Sequence, residues 1–274
     1  MQGSWACSSP PVRRPTAEAK TVDPRAASGF GASADAYERG RPSYPRHAIA
    51  ALVRELELTP ASTVLDLAAG TGKLTRELLE LVGPVIAVDP SAAMLAMLRT
   101  QLPAVDARAG TAETLPLADE SVDAVFVGEA FHWFRTAEAG REIARVLTPR
   151  GGLALLWNRE RWTETDLPWL PAFEALLKPH RQAAGPFPAD QWEHTLGQTG
   201  LFAPLSRTDV DHVRQSSVDG VAALVASWSW IANLPGDQRA RLLTQVGELI
   251  GDQPQLTLRY RTEIHWTRAI ADAG

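Results

Sequence analysis

Residues 63–89, TVLDLAAGTGKLTRELLELVGPVIAVD, decide the fold of this chain. The apolar run at 63–67 is typical of a strand that is buried on both faces. Small residues fill 68–72, where glycine permits turn conformations that other residues avoid and lets a ligand approach the backbone closely. Leucines at helical spacing follow, and a second buried strand at 85–88 leads into Asp89. The segment therefore predicts a strand, a glycine turn, a helix and a second strand.

The glycine turn and the acid together predict a nucleoside site. In such a unit an acid at the end of the second strand normally faces the hydroxyls of a ribose. The dinucleotide fingerprint G-x-G-x-x-G is incomplete, because Gly70 and Gly72 are followed by Thr75 where the third glycine belongs. Asp89 has an alternative role as the cap of the following helix, together with the proline and serine that come after it.

Further motifs extend this pattern along the chain. LDLAAGTG at 65–72, AVDPS at 87–91, GTAETLPLADESVDAV at 110–125 and RVLTPRGGLALL at 145–156 resemble, in order and spacing, the motifs of class I S-adenosylmethionine-dependent methyltransferases. The resemblance covers residues 30–266, which is most of the chain. A member of this class is an enzyme that transfers a methyl group from S-adenosyl-L-methionine.

Two shorter phrases narrow the resemblance. YERGRPSYP at 37–45 and EAFHWF at 129–134 are similar to the small-molecule branch that includes trans-aconitate methyltransferase-like proteins. The class implies an α/β fold with a doubly wound, mostly parallel seven-stranded sheet in the order 3-2-1-4-5-7-6, an antiparallel last strand, helices on both faces and a helical cap. Alternating apolar and polar residues at 255–268 fit the antiparallel strand.

The chain of 274 residues suits one large domain. We expect a disordered tail at 1–27, where serine, proline, alanine and arginine leave little to bury, and a methyltransferase domain at 28–274. Residues 158–188 and 217–250 are the expected cap elements. Residues 30–45 are either a surface segment or a lid over the cofactor.

The resemblance implies a cofactor site for S-adenosyl-L-methionine. Asp66 would help to place the amino group of the methionine part, the main chain at 70–72 would cradle that part, and Asp89 would bind the ribose. In the lid, Tyr37 or Arg41 would lie near the cofactor carboxylate, to which an arginine fork is suited. The expected cofactor-binding residues are Tyr37, Arg41, Asp66, Ala68, Gly70, Thr71, Gly72, Asp89, Pro90, Met94, Thr111, Ala112, Glu113 and Glu129.

The adenine end of the site departs from the family pattern. The family often has an aspartate where this chain has Thr111, whose hydroxyl could accept the same bond from the adenine amino group more weakly. The main-chain N–H of Ala112 could serve a ring nitrogen. Met94 is either a core residue or an adenine contact, and Glu113 is either part of the site or solvated.

His132 is the candidate catalytic residue. It follows the fourth strand, at the carboxyl edge where such folds bind ligands, and its role is that of a base, a substrate positioner or a structural residue. Tyr44, His132 and Trp133 form the expected substrate pocket. The many tryptophans from Trp133 onward either pack the core and cap or hold a flat, apolar substrate. The remaining histidines have no metal-site spacing, so no metal is expected.

The composition of the chain limits the kinds of molecule that it is expected to bind. The net charge is −5 and the basic residues are scattered, so a small-molecule acceptor is favoured over nucleic acid. No apolar run approaches the ~20 residues that cross a bilayer, and Arg13-Arg14 lacks the apolar stretch of a secretion signal. We expect a cytoplasmic protein with no membrane partner. The single cysteine, Cys7, excludes an intramolecular disulfide, and the sequence leaves the oligomeric state open.

The predicted function is in-line methyl transfer to oxygen, nitrogen or carbon of a small molecule. A carboxylate acceptor would need no base, whereas a phenol, amine or carbon acceptor would use His132 or a tyrosine. The alternatives are a nicotinamide-dependent oxidoreductase, a non-catalytic S-adenosylmethionine-binding protein, and an enzyme that uses the cofactor for other chemistry.

Overall fold

A computed structural model describes residues 34–184 and 191–270. Within them seven strands form one sheet. The strands are β1 Val64–Leu67, β2 Val85–Asp89, β3 Asp106–Ala109, β4 Val122–Gly128, β5 Leu147–Glu160, β6 Ser206–Ser216 and β7 Leu256–Arg268. The predicted tail at 1–27 and the first residues of the predicted lid lie outside the described residues.

The order of the strands is β3-β2-β1-β4-β5-β7-β6. Strands β1 to β5 pair in parallel, and β7 runs antiparallel to both β5 and β6. The predicted fold class, including the reversed last strand, is confirmed. The reversal also separates this sheet from the all-parallel sheet of a dinucleotide-binding domain.

Helices surround the sheet. They are α1 Ala34–Gly40, α2 Arg46–Glu55, α3 Lys73–Leu79, α4 Ala92–Gln101, α5 Thr136–Val146, α6 Leu170–Ala183, α7 Trp192–Gln198, α8 Val218–Ala226, α9 Ser229–Ala232 and α10 Gly236–Ile250. Short 3-10 turns lie at Phe131–Trp133 and Trp162–Glu164. Helix α4 begins as predicted, because the Ser91 hydroxyl accepts a hydrogen bond from the Met94 N–H at 3.4 Å.

Successive side chains of β4 point to opposite faces of the sheet and join two cores. Val125 and Val127 pack with α5 and α7 on one face, and Ala124 and Phe126 pack with α2 and α3 on the other. A third core joins α6, α8 and α10 to the first part of β7, around Tyr260. The described parts of 158–188 and 217–250 therefore pack together beyond one end of the sheet.

Two elements have irregular boundaries. The helical residues at 217–233 are divided into α8 and α9, because the Ser227 hydroxyl bonds back to the carbonyl of Leu224 at 2.7 Å and Trp228 takes an extended conformation with ψ 129°. Strand β5 continues as far as Glu160, since its antiparallel partner β7 continues the ladder to that residue.

Candidate functional site

A cavity of about 1080 Å³ opens at the carboxyl ends of the parallel strands. Its sheet side is lined by the residues that follow β1, β2 and β4 and by the end of β5, and its far side is lined by α6, α9 and the second 3-10 turn. Parallel α/β sheets bind ligands at this edge. The volume is at the large end of the range for small-molecule sites.

The turn after β1 is held by the acid at the end of β2. Ala68, Gly70 and Gly72 have φ of 58°, 57° and 87°, which only glycine adopts without strain. The Gly70 N–H donates to Asp89 Oδ2 at 2.8 Å, and the Ser91 N–H donates to Asp89 Oδ1 at 2.8 Å. The carboxylate therefore holds both the glycine turn and Ser91, the residue that caps the next helix, and each oxygen keeps further acceptor capacity.

Three of the expected cofactor-binding residues, Asp66, Thr71 and Gly72, are not among the described residues that line this cavity. The Thr71 hydroxyl donates to Glu38 Oε2 of α1 at 2.6 Å. A Cβ at Gly72 would lie 3.0 Å from Leu98 Cγ, so this glycine faces α4. Thr71 and Gly72 therefore contact α1 and α4 and support the turn on sides that do not line the cavity.

Asp66 lies below the turn, beside a small space of about 20 Å³. The Thr75 hydroxyl donates to Asp66 Oδ2 at 2.5 Å. Burial raises the pKa of Asp66 to about 7, and the charge of Asp89 acts in the same direction. A cation that approached this carboxyl would favour its ionised form.

Helix α1 covers the glycine turn. A Cβ at Gly70 would lie 3.8 Å from Cε1 of Tyr37, and burial raises the pKa of Tyr37 to about 12. The Arg41 guanidinium lies 5.7 Å from the Tyr37 ring centroid and donates from Nε to the Ser227 hydroxyl at 2.9 Å. Both Tyr37 and Arg41 line the cavity. A Cβ at Gly40 would overlap the main chain of α8, so α1 and α8 are in close contact.

Tyr44 lies in the core and not among the described residues that line the large cavity. It is 6% exposed, and its hydroxyl occupies the space that a Cβ at Gly128 would need. It borders the small space beside Asp66 instead. Tyr44 therefore does not line the cavity that His132 and Trp133 line.

Glu129 follows β4 directly, with a positive φ of 58°. Its Oε1 accepts a hydrogen bond from the Asn158 N–H at 2.6 Å. Burial raises the pKa of Glu129 to about 7, although the nearby charge of Arg41 and the bond from Asn158 oppose this. The side chain is half-buried and lines the cavity, so the cavity has a second carboxyl besides that of Asp89.

His132 and Trp133 lie in the 3-10 turn after β4, and both line the cavity. Their rings are 5.0 Å apart. The indole Nε1 of Trp157 donates to Nδ1 of His132 at 3.2 Å. No pattern in the sequence predicted this contact, because Trp157 comes from the neighbouring strand β5.

The residues expected at the adenine end all line the cavity: Pro90, Met94, Thr111, Ala112 and Glu113. Met94 is 2% exposed and lies on the buried face of α4. Glu113 Oε1 accepts a hydrogen bond from the Arg135 N–H at 3.0 Å, so this carboxylate holds the start of α5 against the turn rather than extending into solvent.

The cap side of the cavity was not predicted residue by residue. Its aromatic lining includes Trp162, Phe173, Trp228 and Trp230, and the last two rings stack at 5.2 Å and 17°. Lys178 and Arg181 of α6 line the same side. The sequence signal was the concentration of tryptophan from Trp133 onward, for which core and cap packing was the plain interpretation and a substrate pocket the alternative.

The residues present fit S-adenosyl-L-methionine. A side chain at Gly70 would project into the cavity, because among the described residues Tyr37 alone comes within 4 Å of its Cβ position. The carboxyls of buried Asp89 and half-buried Glu129 line the same cavity and suit a ligand that carries a sulfonium and an ammonium group. Asp89 has acceptor capacity for two neighbouring hydroxyls.

Similar proteins agree with this geometry. Residues 65–155 match the methyltransferase domain family. An uncharacterized methyltransferase of Mycobacterium tuberculosis is 39% identical over 227 residues, which are 83% of this chain and 87% of the relative. A type II methyltransferase from Anaeromyxobacter dehalogenans superimposes with a TM-score of 0.55 at 25% identity, over 84% of this chain and 97% of that structure.

A third similar protein is a phosphoethanolamine N-methyltransferase from Haemonchus contortus, in complex with phosphomonomethylethanolamine and S-adenosylhomocysteine. It shares the fold with a TM-score of 0.53 at 17% identity, over 88% of this chain and 58% of that one.

The fold, the site and these relatives define an enzyme, and the chain belongs to the class I S-adenosylmethionine-dependent methyltransferases. The narrower trans-aconitate-like branch stays a prediction.

Within 34–184 and 191–270, no group of three or more histidine, cysteine, aspartate or glutamate side chains is arranged to hold a metal ion. In the same part of the chain, every helix is too short or too polar to span a bilayer.

Proposed function

We propose that this enzyme uses S-adenosyl-L-methionine to methylate a small molecule held between the sheet edge and the cap. One observation carries the proposal: a single cavity is lined both by the nucleoside-type turn at Gly70 and Asp89 and by the aromatic cap at Trp162 and Trp228. A cavity of about 1080 Å³ has room for a cofactor and an acceptor together.

Each part of the cofactor would meet a matching group. Asp89 would accept hydrogen bonds from the ribose hydroxyls, and the absence of a side chain at Gly70 leaves space for the chain that joins ribose to methionine. Thr111 and Ala112 would meet the adenine edge. Arg41 and Glu129 would face the carboxylate and ammonium groups of the methionine part, since they offer opposite charges to those groups.

When bound, the cofactor supplies a reactive methyl group on a sulfonium, so the protein contributes mainly proximity and orientation. His132 lines the cavity. In the sequence it comes after the glycine turn and before the cap segments. It would contact the acceptor. Helix α1 is held to the turn by the bond between Glu38 and Thr71, and Arg41 just after it bonds to Ser227 at the end of α8. This helix would cover the cofactor side and exclude water from it.

The acceptor would lie against the aromatic side. Stacked indoles at Trp228 and Trp230 offer a flat apolar surface, to which planar or apolar molecules bind well. The net charge of −5 favours such a molecule over nucleic acid. The cytoplasmic location stays a prediction of the sequence.

Calorimetric titration tests the cofactor. S-adenosylhomocysteine should bind with one site per chain, and NAD should not bind; the opposite result would favour the oxidoreductase. A screen of metabolite acceptors with detection of S-adenosylhomocysteine then tests the reaction. Binding without product formation from any acceptor would favour the non-catalytic alternative.

A further inference from the structure

The guanidinium of Arg41 is fixed by one residue of the cap. Its Nε donates to the Ser227 hydroxyl at 2.9 Å, and its Nη2 donates to the Ser227 carbonyl at 3.4 Å. The two residues are 186 positions apart in the sequence, so the contact depends on the fold. Arg41 lines the cavity, whereas Ser227 is completely buried. The cap therefore reaches the cofactor side of the cavity through this contact.

The Ser227 hydroxyl can only accept from Arg41, because its single proton is used in the bond to the Leu224 carbonyl at 2.7 Å. The Ser227 N–H donates to the carbonyls of Ala223 and Leu224 at 3.0 and 3.1 Å, which fixes the residue at the end of α8. Carbonyl groups at the C-terminus of a helix attract a cation. Ser227 therefore offers Arg41 two oxygen acceptors in a position that α8 determines.

The charge of Arg41 has no carboxylate partner in the described part of the chain. Among residues 34–184 and 191–270, no aspartate or glutamate forms an ion pair with its guanidinium. Glu129 of the same cavity is held by the Asn158 N–H instead. Ser227 accepts from two of the five N–H groups of the guanidinium, and the others are enough for a two-point contact with a carboxylate. This arrangement suits an anionic group of a ligand.

We propose that Ser227 is a positioning residue for the cofactor: it holds Arg41 so that the remaining N–H groups of the guanidinium bind the carboxylate of S-adenosyl-L-methionine. The inference rests on the proposed function, which places the methionine part beside Arg41. It adds that the cap contributes to the affinity for the cofactor, together with the glycine turn and α1. The same segment continues into Trp228 and Trp230, which line the cavity, so it serves both the cofactor and the acceptor.

Calorimetry with two ligands tests the positioning. Ser227→Ala removes the acceptor of Arg41 Nε, so the Kd of S-adenosylhomocysteine should rise roughly tenfold. The decarboxylated analogue of S-adenosylhomocysteine keeps the adenosyl and amino groups but lacks the carboxylate, so its Kd should change by less than about threefold. A role of Ser227 in cap folding alone would weaken both ligands alike. An equal loss for the two ligands, or no loss for either, would overturn the proposal.

Ser62→Ala is the matched control. Ser62 is 9% exposed, and its hydroxyl also accepts a hydrogen bond from an N–H group, that of Thr59 at 3.0 Å. It is not among the described residues that line the large cavity or the small space beside Asp66. The Kd of S-adenosylhomocysteine should therefore stay within about threefold in Ser62→Ala. Equal losses in the two serine variants would contradict a specific role of Ser227.

A double-mutant cycle links Ser227 to Arg41 and needs S-adenosylhomocysteine alone. Arg41→Lys keeps the positive charge but removes the Nε–H and the planar fork. If Ser227 acts through Arg41, Ser227→Ala should raise the Kd roughly tenfold in the unaltered protein but at most about twofold in Arg41→Lys. Additive losses would refute the positioning role. Failure of S-adenosylhomocysteine to bind to the unaltered protein would instead count against the proposed function.

Discussion

Replacement of Asp89 by alanine should weaken cofactor binding strongly. The carboxylate is 6% exposed and accepts main-chain hydrogen bonds from Gly70 and Ser91, each at 2.8 Å. The substitution removes the proposed partner of the ribose and also the group that fixes the glycine turn. Both effects act on affinity in the same direction.

The magnitude follows from the contacts. Two hydroxyls bound by one carboxylate contribute roughly 2–4 kcal/mol together, which corresponds to about a 30-fold to several-hundred-fold change in Kd. The loosened turn adds to the loss. We therefore expect the Kd of S-adenosylhomocysteine to rise at least about 30-fold. Asparagine would not restore binding, since it can accept from only one of the two N–H groups.

Calorimetry with S-adenosylhomocysteine and with its 2′-deoxy analogue measures the effect. If Asp89 binds the ribose, the loss on substitution should be smaller for the deoxy analogue than for the natural compound. Asp252→Ala is the control, because Asp252 is exposed and lies outside the cavity. A Kd that stays within about threefold in a folded Asp89→Ala protein would remove Asp89 from the site and refute the reasoning.

Further predictions concern the turn, the lid and pH. Both glycines have a positive φ, so alanine at either position should cost about 1–2 kcal/mol in denaturant unfolding. Gly70→Ala should also raise the Kd of S-adenosylhomocysteine about tenfold or more, because its methyl would project into the cavity. Gly72→Ala should change this Kd little but cost about 1–3 kcal/mol more in unfolding, because its methyl would press on α4. Equal effects on binding would be contrary evidence. Gly40→Ala should displace α1 from α8 and speed amide hydrogen exchange at 34–40, whereas Gly247→Ala, with no described atom within 4 Å, should not. The folded-state pKa of Asp66, about 7, lies above its ordinary value of 3.8, so its contribution is present at low pH and is lost as the pH rises through 7. The unfolding free energy without ligand should therefore fall from about pH 4 to pH 8, less steeply in Asp66→Asn, and identical slopes would disprove the assignment.

Local sequence was enough for the central unit. The apolar strands, the helix cap at Ser91 and the acid at Asp89 occur where the sequence placed them, because backbone propensity and side-chain burial act over a few residues there. The strand order could not be derived in that way. It was predicted from the resemblance of successive motifs, and the structure confirms it.

The sequence predicted less well the side chains whose contacts come from residues distant in the sequence. Tyr44 was expected in the substrate pocket, but the backbone of β4 at Gly128 holds its hydroxyl in the core. Thr71 was expected at the cofactor, but its hydroxyl turns to α1. Both side chains have partners far away in sequence, so neighbouring residues gave no information about their direction.

The sequence by itself determined the class of the enzyme, the glycine turn and the position of its acid, since each depends on residue types at fixed short spacings. Only the tertiary structure decided which side chains face the cavity, how the cap closes it with tryptophans from separate segments, and that the indole of Trp157 donates to Nδ1 of His132. These features depend on strand register and on the packing of distant elements, which no short stretch of residues specifies.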